Sequence, residues 1–140
     1  MLHEVAMDAD TEAEAILDAY RMLVQETIET VGIERVTAET SIDRKRLDGA
    51  SDDDLATLSI QEAATILALE GDRDPEAIVY ELRDHLLMGM TTAVLDVDTI
   101  AGAIDADLTG QEVQQALEGR APMTLEQLSE IQAVIETRKR

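Results

Sequence analysis

The sequence predicts an all-α protein, and three observations carry that reading. Apolar residues recur at helical spacing in the long segments, pairs of capping residues stand ahead of those segments, and no useful length of chain alternates with the two-residue period of a strand. At 140 residues the chain is long enough to bury a sizeable core. That core has to be aliphatic, because there is no Phe, Trp or Cys and the only aromatic residues are Tyr20 and Tyr80.

Residues 1–10 read as a flexible N-terminus, with no basic-then-apolar run of a signal peptide. Thr11 with Glu14 has the form of a capping box, in which the hydroxyl accepts from an early backbone N–H and the acid reaches back. Ile16, Tyr20, Leu23, Val24 and Ile28 then line one helical face, and Gly32 supplies a left-handed end. Two short pieces follow, Glu34 to Thr40 and Asp43 to Ala50, and then an acidic loop from Ser51 to Asp54. Ser59 with Glu62 opens a helix whose apolar side is Ile60, Ala63, Ile66, Leu67 and Leu69, closed by Gly71.

Asp74 before Pro75 is a strong helix start, since Asp caps well and Pro is at ease in the first helical position. That helix carries Ile78, Val79, Leu82, Leu86, Met90 and Ala93. Beyond it come Asp98 to Ala103, then Thr109 to Gly119 with a box at Thr109 and Glu112. A last box at Thr124 and Gln127 leads into Leu125, Leu128, Ile131, Val134 and Ile135. The expected total is about eight helices.

The stretch from Leu86 to Leu95 is ten uncharged residues in a chain of formal net charge -20. It is too short to span a bilayer, which takes about 20 apolar residues, so no membrane is expected. Burial on every side is predicted instead, with Leu86, Leu87, Met88, Met90 and Val94 as core or interface residues. Gly89 weakens such a helix by up to about 1 kcal/mol relative to Ala, which predicts the close approach of another helix. The surplus apolar surface predicts a homodimer.

The order of long helix, two short helices and capped helix occurs twice. Setting Val36 against Ile100 and Ser59 against Thr124 gives a period of about 65 residues. In that alignment Met22 and Leu23 match Leu86 and Leu87, and Ile33 matches Val97. Residues 11–71 and 72–140 are therefore expected to be two related units sharing one core around a central apolar helix.

The second unit, TIAGAIDADLTGQEVQQALEGRAPMTLEQLSEIQAVI, is similar to the lambda-repressor-like helix-turn-helix domain, with Leu117, Gly119, Thr124, Leu125, Glu126 and Ile131 on the pattern. The first unit keeps the same spacing, with Ile42 in the turn and Leu47 facing inward. It has SDDD in place of the Gly-Arg turn, and the second unit has extra turn residues at Ala106 and Asp107. The resemblance implies a helix-turn-helix fold and contact with DNA. LLMGMTTAVLDVDTIA with ALEGRAPMTL also resembles a family of small haloarchaeal proteins of unknown function, which implies no activity.

Acidic residues number 31 against 11 basic ones, only two of which are Lys. This is the composition of a protein that stays hydrated in molar salt, and lack of Cys points to a reducing cytoplasm. At 1 M salt the Debye length is about 3 Å, so net charge does not bar an acidic protein from DNA.

Arg44, Lys45 and Arg46 are the densest basic cluster within the body of the chain, and the repeat sets them on a recognition helix. They either contact DNA or pair with Asp43, Asp48 and the acids at 52–54. Gln111, Gln114 and Gln115 take the equivalent exposed positions in the second unit, either as base readers or as ordinary solvated residues. Asp105, Asp107, Thr109 and Gly110 match the opening of a calcium loop, but Ala116 stands where its chelating Glu belongs, so capping by Thr109 is the better reading. His3 and His85 are the only histidines, His85 abutting the apolar run as a packed or partly exposed residue, and no nucleophile–base pair or phosphate loop is present, so no enzyme, metal or cofactor is expected. The leading expectation is a cytoplasmic DNA-associated or transcription-regulatory protein. The alternative is a non-catalytic assembly module with a protein partner, whose former DNA surface has become acidic.

Overall fold

A computed structural model describes residues 2, 12–47, 55–71, 73–105 and 107–139. Among them the chain is all-helical, with seven α-helices where about eight were expected. These are α1 (Ala13–Val31), α2 (Ile33–Glu39), α3 (Ile60–Ala68), α4 (Pro75–Ala93), α5 (Val97–Ala103), α6 (Gly110–Leu117) and α7 (Leu125–Lys139). Between α2 and α3 lies one 3-10 turn, Arg44–Arg46.

Local chemistry sets most boundaries. Ser59 Oγ accepts from Glu62 N–H and the Glu62 carboxylate accepts from Ser59 N–H, each at 3.0 Å, completing the box that starts α3. Thr109 with Glu112 starts α6 in the same way, and Thr124 with Gln127 does so ahead of α7. Asp74 caps α4 through Glu76 N–H, with Pro75 opening the helix. At α1 the expected Thr11 cap lies outside the described residues, and Glu12 stands at the cap with no side-chain bond. Residues 1 and 3–11, the second half of the expected helix to Ala50, the loop at 51–54 and Ala106 also lie outside. Leu2 is fully buried in the core.

Helix α7 packs against α1, α4 and α5, while α3 packs on α1 and α4. Tyr20, Val24, Ile66, Ile78, Leu82, Leu86, Ile100, Leu125 and Ile131 belong to one buried cluster. Within it the Tyr20 hydroxyl donates to Gln132 Oε1, tying α1 to α7. Burial raises the Tyr20 pKa far above its ordinary range, against a smaller opposing effect of that hydrogen bond, so the phenol stays a donor. As Gly89 foretold, α7 comes close to α4: a Cβ on Gly89 would lie 2.8 Å from Ile135 Cγ2.

The two halves meet at a two-bond antiparallel bridge between Ser59 and Thr124. Ile60 N–H donates to Met123 O at 2.8 Å, and Leu125 N–H donates to Leu58 O at 2.9 Å. The residues that the repeat sets equivalent are therefore paired with each other.

In the long helices the structure shifts the repeat. Ile16, Tyr20, Val24, Thr27 and Ile28 are buried on α1, and the buried residues Ile78, Leu82, Leu86, Gly89 and Met90 of α4 stand 62 positions later. Leu86 thus matches Val24 and not Met22. A stretch without charge offers no phase from which to read its inner side, which is why the register slipped by two. The two residues reappear at the corner after the helix: a single Gly32 joins α1 to α2, whereas Val94, Leu95 and Asp96 join α4 to α5.

Candidate functional site

Burial of the apolar stretch is one-sided. Leu86, Gly89 and Met90 face inward, whereas Leu87 is 48% exposed, Met88 64% and Val94 90%. All-round burial is not observed among the described residues. A hollow of about 460 Å³ lies beside these side chains, lined by Leu87, Met90, Thr91, Val94, Leu95 and Asp96.

Val94 holds a left-handed conformation, φ 56° and ψ 53°, which a β-branched residue rarely adopts. It ends α4 as Gly32, at φ 95°, ends α1. Leu95 N–H closes the turn onto Met90 O at 2.9 Å, while the Val94 side chain projects outward.

The basic cluster does not sit on a helix. Arg44–Arg46 is a single 3-10 turn capped by Asp43, whose carboxylate accepts from Lys45 N–H at 3.0 Å. Arg46 turns toward α3 and grips Glu62 with both terminal nitrogens, at 2.6 and 3.2 Å. Burial opposes ionisation of Glu62, but the Arg46 guanidinium and the Ser59 N–H outweigh it and hold the carboxyl below the usual carboxylate range. Arg46 is thus engaged with the capping box of α3, and Arg44 and Lys45 are the exposed members.

Helix α6 carries Gln111 and Gln114 exposed and Gln115 half-buried. Gln114 Nε2 donates to Glu118 Oε1 at 3.0 Å, and Glu118 also pairs with Arg120. At the far end of the helix Arg83 of α4 donates through Nε to Leu117 O. Among the described residues no extensive packing joins α6 to the 3-10 turn, so the two sets of predicted contact residues are not gathered there. Thr109 is committed to its capping box, and no cluster of three His, Asp or Glu that could hold a metal is found among the described residues. No single helix there is long and apolar enough to cross a membrane.

Two residues escaped the sequence reading. Tyr80, 70% exposed, falls on the side of α4 opposite Ile78, Leu82 and Leu86, which a helical projection could have shown. Arg83 had no local signal, because its partner Leu117 is 34 residues away.

No curated protein and no solved structure matches the chain. Residues 16–138 match the profile of a family of unknown function, DUF5791, and the chain belongs to that family.

Proposed function

We propose that the protein is a non-catalytic assembly module that pairs with a second copy of itself through the outer face of the second half of α4. One observation carries this reading. At the positions where α1 presents Gln25, Glu26 and Glu29 to solvent, α4 presents Leu87, Met88 and Thr91. The inner faces of the two helices follow the same pattern, so folding does not require an apolar outer face, and its cost in water is offset when a partner covers it.

A second copy suits this face. In a chain of net charge -20, a ten-residue stretch without charge is where an equally acidic molecule can approach with the fewest opposing carboxylates, Asp96 alone lining the hollow. A twofold contact needs one patch to offer both a projection and a recess, and Val94 beside the 460 Å³ hollow offers both. We assign the setting to the cytoplasm of a halophilic archaeon, where screening and salting-out both tighten such a contact.

Light scattering in molar KCl tests the proposal. A dimer is expected for the wild type and a monomer for the variant carrying Leu87→Gln, Met88→Glu and Thr91→Glu, with the helical content of the variant by circular dichroism equal to that of the wild type. A wild type that stays monomeric to millimolar concentration overturns it, as does a variant that still dimerises.

A DNA-associated role is the second reading. It is favoured by α6, whose exposed Gln111 and Gln114 ride on a helix held at one end by a capping box and at the other by Arg83. Binding of genomic fragments in molar KCl by the wild type, lost on Gln111→Ala with Gln114→Ala, would support it. Equal binding by both proteins, or none by either, removes it.

A further inference from the structure

We infer that the groove between α3 and the first half of α4 binds a small molecule consisting of a flat ring joined to a single oxyanion. The groove encloses about 630 Å³ and is lined by Gln61 and Thr65 of α3, by Pro75, Glu76, Val79, Tyr80 and Arg83 of α4, and by Gly119. That volume lies within the range of about 300–1,000 Å³ typical of ligand pockets.

Arg83 supplies the first argument. Arg21, Arg35, Arg46, Arg73 and Arg120 each pair with a carboxylate, as expected in a chain with 31 acids. Arg83 is half-buried and pairs with no carboxylate among the described residues; its hydrogen bond runs from Nε to the neutral carbonyl of Leu117. Its Nη1 lies against Gly119, where a Cβ would come within 3.1 Å. A partly desolvated guanidinium without a counter-ion is costly, and its remaining N–H groups form a fork that matches a carboxylate or phosphate.

The equivalence of α1 and α4 supplies the second. Arg21 stands 62 positions before Arg83 and is neutralised by Asp18, one helical turn earlier. At the position of Asp18, α4 has Tyr80. The same exchange thus removes the internal anion and installs a 70% exposed ring beside the cation it would have neutralised. Flat ligands stack on such a ring. Across the groove the exposed Gln61 amide makes no hydrogen bond among the described residues, leaving a donor and an acceptor for the edge of the ligand.

Glu76 sets the upper limit on charge. It lies two helical turns before Arg83, roughly 10 Å along the axis, and repels a second or third anionic group there. A nucleoside monophosphate and an aromatic carboxylate share the required chemistry, whereas polyphosphates do not. Because Arg83 also holds Leu117 O, an occupant on its outer nitrogens steadies the turn at the end of α6.

Amide-resolved NMR titration of the full chain with adenosine monophosphate and with indole-3-acetate tests the inference, with inorganic phosphate and adenosine as half-ligands. Saturable shifts at Gln61, Tyr80 and Gly119 are expected with at least one of the ring-bearing anions, and the tighter of the two identifies the source of the oxyanion. Tyr80→Leu is expected to weaken that binding about tenfold, the scale of one lost stacking contact. Tyr80→Asp, which gives Arg83 the neighbour that Arg21 has, is expected to abolish it. Both changes are at an exposed position, and unchanged melting shows that each variant folds. The inference is overturned if neither ring-bearing anion binds at millimolar concentration, if phosphate alone binds as tightly, or if Tyr80→Asp binds like the wild type.

Discussion

Helices α1 and α4 are each 19 residues long and share five buried positions, with Leu17 buried in addition on α1, yet they present different chemistry to water. Toward the core, Ile16 answers Ile78, Tyr20 answers Leu82 and Val24 answers Leu86, because both helices must fill one close-packed interior. Toward solvent, Asp18, Gln25, Glu26 and Glu29 answer Tyr80, Leu87, Met88 and Thr91. Inner faces are constrained by packing, whereas outer faces are free of it. The outer difference between two like helices therefore reports use more directly than any residue they share.

Exchanging residues between equivalent positions breaks this comparison in graded steps. The largest effect on stability is expected from Gly89→Thr, which puts the α1 residue Thr27 into α4. A Cβ there meets Ile135 at 2.8 Å, so overpacking should destabilise the fold by about 1–3 kcal/mol in thermal or denaturant unfolding. Thr27 itself is buried, and its hydroxyl bonds back to Leu23 O at 3.0 Å. A smaller gain, about 1 kcal/mol, is expected from Val94→Gly, which copies Gly32 and relieves the left-handed strain. The same variant loses the projection offered to a second copy, so stability and association should move in opposite directions.

The smallest effect separates the two capping boxes. Glu62 can titrate and its counterpart Gln127 cannot. A folded-state pKa below the unfolded one contributes stability that is present above the unfolded value, about 4.3 for Glu, and lost as pH falls through the folded value. Glu62→Gln should therefore lower the melting temperature at neutral pH, and the gap from the wild type should narrow below about pH 4. A gap independent of pH would show that the Arg46–Glu62 pair contributes nothing to stability.

What could be read from the sequence was what local chemistry decides. Ser59, Asp74, Thr109 and Thr124 each mark a helix start because a cap and its partner are within four residues of each other. Gly32 and Gly89 were legible because glycine inside or beside a helix needs a reason. Features that depend on distant partners were not. Arg46 reaches Glu62 across 16 residues, so one member of a cluster that the repeat set on a recognition helix braces α3. The outward side of Leu86 to Leu95 was hidden for a different reason: ten uncharged residues look the same from every direction.

The bridge between Ser59 and Thr124 has a consequence for how the molecule comes apart. Each half lends the other one N–H and one carbonyl, at 2.8 and 2.9 Å, at the place where its own last helix begins. Loosening either half leaves unsatisfied groups in both, so the bridge acts as a shared latch. The amides of Ile60 and Leu125 are therefore expected to exchange with solvent at the same rate in hydrogen exchange, the two halves of the chain opening together.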